Sequence, residues 1–299
     1  MSQRTIYMDN NATTPVHPQV KARFIEMLDR YGNASSMHRS GREVGELVKN
    51  ARRKTAQLLG AQPDEIIFTG GGSESNNTVL KTIFELFGTD FGIVTSAIEH
   101  PSVLNTVRYL GSRGLPITIV KVDQYGFVDL DQIEDALNGK VKLISVMAAN
   151  NEIGTLQDLK SVVRMAHEKG ALVHTDAVQL FGKLPMNVND LGIDYCSFSG
   201  HKLYGPKGIG GLFVRKGSPF VQLIHGGHQE EGRRAGTLNS PSIIAMGKAI
   251  SIAEEEMDYE ADRQRKLKKR LRRGIEEAIP DIRINGHPEK SLPGTLNVS

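Results

Sequence analysis

The 299-residue sequence has no tryptophan and a single cysteine, Cys196. One cysteine excludes a disulfide framework within these residues and suits a reducing compartment, so a cytoplasmic protein is expected. No apolar run reaches the length that spans a bilayer, and Met1–Asn10 lacks the apolar stretch of a secretory signal. Charge of one sign is also scarce. The net charge of +3 is too small to argue for nucleic acid or an anionic membrane as a partner. Glycine, by contrast, is plentiful at 31 residues, which points to tight turns and close backbone approaches. The 39% hydrophobic and 24% charged content is ordinary for a soluble globular chain, and the length fits one large α/β domain plus a smaller piece.

Short apolar runs alternate with helical patterns, the pattern of βαβ units and a mainly parallel sheet sandwiched by helices. Seven strands are predicted: Glu65–Phe68, Gly92–Ser96, Ile117–Val120, Leu143–Val146, Ala171–Thr175, Tyr195–Ser197 and Gly211–Val214. A helix is predicted over Arg42–Leu59, where Val44, Leu47, Val48, Ala51, Leu58 and Leu59 share a face, and another from Gly72 to about Leu86. The last third changes character. Ile243, Met246, Ile250, Ala253 and Met257 form a helical stripe that Leu267, Leu271 and Ile275 continue, which predicts a long connecting helix, whole or broken. Two strand-like pieces follow, Ile282–Ile284 and Gly294–Val298, too few for a domain of their own. The expected organisation is an N-terminal segment 1–15 packing with a small domain, a large domain over 16–255, and a partial small α+β domain over 256–299. The basic run Arg263–Arg273 follows the acidic run Glu254–Asp262, with Asp262 and Lys266 in i,i+4 register, and reads as a solvated helix face rather than a nucleic-acid patch.

Polar groups gather at successive strand ends. Ser197–Lys202 leads into a glycine-rich turn through Gly211, placing Lys202 between glycines beside the donors Ser199 and His201. A lysine kept from water loses proton affinity and becomes a nucleophilic amine. The stretch is no Walker motif, since no Ser or Thr follows Lys207. Asp176 and Gln179 follow the apolar strand Ala171–Val173, at the carboxyl end where open α/β sheets bind ligands. Ile66–Phe68 runs through Gly70, Gly71 and Gly72 to Ser73 at a helix start, an anion site suited to a single phosphate. His100 stands between a strand and a helix, where an imidazole can lie on a cofactor ring and shuttle protons. Asn150 and Asn151 follow the strand Leu143–Val146. Apart from the Gly70–Ser73 turn, whose strand–glycine–helix context by itself favours a phosphate, each of these taken alone also fits an ordinary turn, cap or loop residue. Together they supply a carboxylate for a pyridine nitrogen, a phosphate nest, a stacking ring, an amide and a lysine, the set that pyridoxal 5′-phosphate (PLP) requires. His225 and His228 have no acidic or cysteine ligand spaced to complete a metal site, so no metal is expected.

The motifs Asp9–Pro15, Ser197–Lys202 with Tyr204–Gly210, His174–Gln179, Asn150–Gly154 and Arg233–Asn239 resemble the NifS/IscS-type cysteine desulfurases. These are fold-type I PLP enzymes, alongside aspartate aminotransferase. The resemblance covers the whole chain and implies roles at matching positions. Lys202 would carry PLP as a Schiff base. Asp176 would pair with the pyridine nitrogen, Gln179 with the phenolate oxygen, and His100 would stack on the ring. Gly72, Ser73, Ser199 and His201 would hold the phosphate, and Thr237 would reach the phosphate of a second subunit in a homodimer. Asn151 would sit near the substrate and the ring oxygen. Ser73 stands where the family often has threonine, which preserves the hydroxyl.

The activity this implies is conversion of L-cysteine to L-alanine, with the sulfur passing to an iron–sulfur scaffold or another acceptor protein. Family members continue for roughly a quarter of their length beyond a segment like Leu292–Ser299, and that part carries the persulfide cysteine and the arginine that grips the substrate carboxylate. Cys196 lies in a strand pattern six residues before Lys202 and reads as a buried small hydrophobe. Little or no turnover is therefore expected from these 299 residues alone. The alternatives are a short PLP-binding homologue acting as another lyase or aminotransferase, a non-catalytic partner subunit, or a nucleotide- or phosphate-binding α/β protein without PLP.

Overall fold

Strands buried on both faces read as continuous apolar runs, because helices cover each side of the sheet. The seven predicted runs all form strands: β1 Ile66–Thr69, β2 Gly92–Ser96, β3 Ile117–Val120, β4 Val141–Ser145, β5 Leu172–Asp176, β6 Tyr195–Ser199 and β7 Gly210–Val214. They make one sheet in the order β1-β7-β6-β5-β4-β2-β3. β7 runs antiparallel to both its neighbours, and every other pairing is parallel. The computed structural model describes residues 6–137 and 139–299. Residues 1–5 of the predicted N-terminal segment lie outside it.

Among the described residues eight α-helices flank and follow the sheet: α1 Pro18–Leu28, α2 Arg39–Leu59, α3 Gly72–Phe87, α4 Pro101–Ser112, α5 Leu130–Ala136, α6 Leu159–Glu168, α7 Val188–Leu191 and α8 Ser240–Ala278. Alternation along the strands divides the core in two. Ile67, Ile93, Leu143, Tyr195 and Leu212 face α3 and α4, meeting Leu80, Ile83, Val103 and Val107. Their neighbours Phe68, Val94, Ile144, Val173, Cys196 and Phe213 face α2, α6 and α8. Packing is close enough to dictate single residues. A Cβ on Gly211 would stand 2.3 Å from Phe198 Cζ, so β7 yields that space to the ring.

Element ends moved where side-chain chemistry is local. Glu65 belongs to a 3-10 turn rather than β1, because its carboxylate accepts from Gln62 N–H at 2.9 Å. α2 starts three residues before the predicted Arg42, since His38 Nδ1 accepts from Gly41 N–H. β4 begins at Val141 and β6 runs on to Ser199, both past the predicted limits.

The connecting helix α8 is unbroken over 39 residues. Its charged half is stabilised along its own surface by Arg263–Glu260 and Arg265–Asp262, each at 2.7 Å, and Arg272–Glu276 at 2.8 Å. Asp262 thus pairs with Arg265, one residue short of the predicted Lys266. The apolar stripe is buried only in its first half. Ile243, Met246 and Ile250 are core residues, whereas Leu267 and Leu271 are 50% and 42% exposed. The C-terminal pieces form a short antiparallel pair, β8 Ile284–Asn285 and β9 Asn297–Val298, smaller than predicted. No helix among the described residues is long and apolar enough to cross a membrane.

The edge strand β1 is covered by a buried ion pair. Glu230 has a fully buried side chain and bonds Arg52 at 2.5 and 3.0 Å. It also accepts from the Phe68 N–H at 2.8 Å, and the Arg52 guanidinium lies 4.7 Å from the centre of the Phe68 ring. Glu230 and Glu231 both adopt left-handed backbone, at φ 48 and 58. The bonds must outweigh that strain. Arg52→Met, which leaves the carboxylate buried and unpaired, is expected to destabilise the fold by about 3–5 kcal/mol in urea unfolding. A loss under about 1 kcal/mol would mean that the pair acts like an exposed one. Cys196 is fully buried, and burial pushes its thiol well above the ordinary range. A thiol-reactive probe is expected to label it only in denaturant, and stoichiometric labelling of the folded chain would contradict its burial.

Candidate active site

β5 ends on Asp176, β6 on Ser199, and the N-termini of α3 and α4 arrive at the same edge of the sheet. A cavity of about 530 Å³ opens there. Nine of the ten predicted site residues line it: Gly72, Ser73, His100, Asn151, Asp176, Gln179, Ser199, His201 and Lys202. Thr237 does not; it is exposed, outside the cavity.

Asp176 is buried and fully engaged. Its Oδ1 accepts from Val178 N–H at 3.0 Å and its Oδ2 from Asn76 Nδ2 at 2.7 Å. Burial pushes its carboxyl above the usual range, while those two bonds and the nearby His100 and Lys202 pull it back. His174, two residues earlier, is a satisfied core histidine. Its ring nitrogens pair with Ser145 Oγ at 2.8 Å and Ser197 Oγ at 3.0 Å, and burial holds its pKa at about 3.

Lys202 sits in the 3-10 turn Gly200–Lys202 that follows β6. Its Nζ donates to the carbonyls of Asn11 and Ala12. Burial lowers its proton affinity, against the opposing pull of Asp9, Asp176 and Glu152. The chain over Asn11–His17 is strapped across this turn. Thr14 N–H and Oγ1 both donate to His201 O, at 3.0 and 2.9 Å, and Thr14 Oγ1 accepts from Tyr204 N–H at 2.8 Å. His201 pairs with Thr13 Oγ1 at 3.1 Å and is held at about 4 by burial and by Lys202, Lys207 and Lys183. Gln179 donates to Asn11 O at 2.9 Å and accepts from Lys183 Nζ at 3.0 Å; burial, then Lys202, lowers Lys183 to about 8.

The start of α3 is open to an anion. Gly71 is its N-cap and provides no side-chain acceptor, so the first N–H groups remain uncapped. A Cβ on Gly72 would stand 2.6 Å from Val178 Cγ2, so glycine is what lets the helix end lie against the turn after β5. Glu74 holds the loop from behind, accepting from Gly70 N–H at 2.8 Å and from Arg234 at 2.8 and 3.1 Å. At the start of α4, His100 Nδ1 accepts from Ser102 N–H at 3.1 Å and faces Ser102 Oγ at 2.8 Å. Asn151 is tied to the strap, its carbonyl accepting from Asn11 Nδ2 at 3.1 Å.

Asn11, Asn76, Ser102 and Lys183 also take part, although the sequence pattern assigns none of them a role. One of them carried a signal. Asn76 is i+4 from Gly72 on a helix that starts at the site, so the two share a face. Among the described residues no three His, Cys, Asp or Glu side chains gather as a metal site; His225 instead pairs with Gln222 at 2.8 Å.

The donor set fits PLP. A buried carboxylate can face a pyridine nitrogen, an uncapped helix start with Ser73 and Ser199 can take a phosphate, and a desolvated amine lines the same cavity.

Known proteins agree with this chemistry. The chain matches the aminotransferase class-V family over residues 6–299. Cysteine desulfurase IscS of Dictyoglomus turgidum is 45% identical, the match covering 99% of this chain and 76% of that protein. A cysteine desulfurase of Gluconacetobacter diazotrophicus is 47% identical, covering 98% and 74%. The solved structure of a NifS-like protein superposes with a TM-score of 0.95 at 42% identity, covering 99% of this chain and 82% of that one. A NifS-like protein from Rickettsia africae gives 0.92 at 33% identity, covering 99% and 81%. The chain therefore belongs to the aminotransferase class-V family, among its NifS/IscS-type cysteine desulfurases, with PLP as its cofactor.

Proposed function

We propose that this chain activates L-cysteine as a cysteine desulfurase, releasing L-alanine and passing the sulfur on. The observation that carries the reading is the convergence of Lys202, Asp176, His100 and the uncapped start of α3 on one cavity. When bound, PLP supplies an electron sink for the substrate Cα. Lys202 is the amine that would hold it, and burial lowers its proton affinity, which favours the nucleophilic form. Asp176 keeps a proton on the ring nitrogen. Gln179 offers its amide N–H, oriented by the bond that Lys183 donates to its oxygen. Gly72, Ser73, Ser199 and His201 hold the phosphate. Asn151 orients the substrate, and His100 moves protons at the cavity wall. The strap over Asn11–His17 excludes water from the lysine.

The exposed Thr237 supports a homodimer in which it completes the partner's phosphate site. The bond of Asn11 to Thr295 at 3.0 Å supports an N-terminal segment 1–15 that packs with a partial small domain over 256–299, beside a large domain over 16–255. A cytoplasmic enzyme feeding an iron–sulfur scaffold protein completes the proposal.

The sulfur step breaks the Cβ–S bond of L-cysteine and forms an S–S bond on an accepting thiol. Cys196 cannot be that thiol, being fully buried and held protonated. The same fact favours, as a second reading, another lyase or aminotransferase activity, or a non-catalytic partner subunit. Added PLP is expected to give the purified chain a visible absorption band that L-cysteine perturbs and Lys202→Ala abolishes. A wild-type chain without a band would sink the cofactor assignment. The 299 residues alone are expected to release little or no sulfide from L-cysteine. Sulfide release at the rate typical of cysteine desulfurases would refute that, and keto-acid rather than alanine formation would select the second reading.

A further inference from the structure

Asn76 is fully buried on α3. Its Nδ2 carries two hydrogens and meets two acceptors, Asp176 Oδ2 at 2.7 Å and Ser102 Oγ at 2.8 Å. A carboxylate only accepts, so the amide nitrogen must face Asp176. This orientation leaves Asn76 Oδ1 buried without a partner, a cost of desolvation that the two donated bonds must outweigh. Ser102 Oγ receives a hydrogen from Asn76 and is left with its own to give. It faces His100 Nδ1 at 2.8 Å, and the Ser102 N–H reaches the same nitrogen at 3.1 Å. Nδ1 is thus held as an acceptor from two directions. In the neutral ring the proton then resides on Nε2.

We propose that Asn76 is a positioning residue whose single amide orients the Asp176 carboxylate and, through Ser102, fixes His100 in the tautomer that presents Nε2–H to the cavity. Neutral His100 accordingly offers the substrate a donor rather than a lone pair, and it accepts a proton there only after giving one up. The Asp176 half rests on the cavity being the PLP site. The His100 half does not.

The test uses the full chain labelled with 15N-histidine, without added cofactor, in a long-range 1H–15N correlation experiment. Signals of His100 are those lost in His100→Gln. Wild type is expected to show the Nε2–H tautomer. Asn76→Asp keeps the size of the side chain but puts an acceptor where the NH2 was. The Ser102 hydroxyl then turns toward the new carboxylate and accepts from Nδ1–H, so the Nδ1–H fraction is expected to rise severalfold. Asn76→Ala breaks the bridge without reversing it and is expected to give mixed tautomers; it carries the test if Asn76→Asp does not fold. PLP affinity, read by absorbance titration, is expected to weaken about tenfold in both variants through the lost bond to Asp176. A Nδ1–H tautomer in wild type, or an unchanged tautomer ratio in folded variants, overturns the relay. A wild-type chain that binds no PLP overturns the cofactor assignment and the Asp176 half, while the tautomer ratio still decides the other.

Discussion

Burying a carboxylate is the constraint around which this site is built. An isolated charge moved out of water costs several kcal/mol unless it is paired and hydrogen-bonded. Asp176 is 5% exposed and meets that cost through Val178 N–H and Asn76, with Lys202 nearby. The groups around it come from different elements. Asn76 needs α3 to start at Gly72, His100 needs α4 to start at Pro101, and Lys202 needs β6 to end beside β5. The strand order that places β5 between β4 and β6 therefore follows through to the chemistry.

A second buried carboxyl sits beside the first. Glu99, next to His100, accepts from Ser96 Oγ at 2.6 Å and from Met147 N–H at 2.8 Å, and burial raises it to about 8. At neutral pH it is mostly protonated, so it adds little repulsion to Asp176. His174 is neutral for the same reason of burial. Two groups near Asp176 thus shed their charge, Glu99 its negative one and His174 its positive one, while Asp176 shares the cavity with Asp9 and Glu152.

The sheet was legible in the sequence because both of its faces are covered, so runs such as Ile66–Phe68 and Leu143–Val146 are apolar without interruption. The strand-end residues were legible for a related reason: a polar group directly after such a run has one place to go. Asn11, Asn76 and Ser102 were not. Their work is to bond residues distant in sequence, Asn76 to Asp176 across 100 residues and Asn11 to Gln179 across 168. Composition and periodicity record no such pairing. The continuity of α8 was also hidden. Its last turns are held by ion pairs on an exposed surface, while Leu267 and Leu271 only look like a buried stripe.

Strand alternation also settles the place of the only cysteine. Tyr195, Ser197 and Ser199 point to the side of the sheet carrying α3, where Ser197 bonds His174 and Ser199 reaches the cavity. Cys196 and Phe198 point to the opposite side, into the core beneath α2 and α8. A one-residue shift of β6 would bring the thiol round, but it would also bury Ser197 and Ser199 among apolar side chains and expose Phe198 to the site. The ladder to β7, from Tyr195 opposite Val214 to Ser199 opposite Gly210, holds against that shift. The strand that delivers Ser199 and Lys202 to the cavity therefore keeps its own sulfur away from it, and under the proposed activity the accepting thiol approaches the cavity from elsewhere.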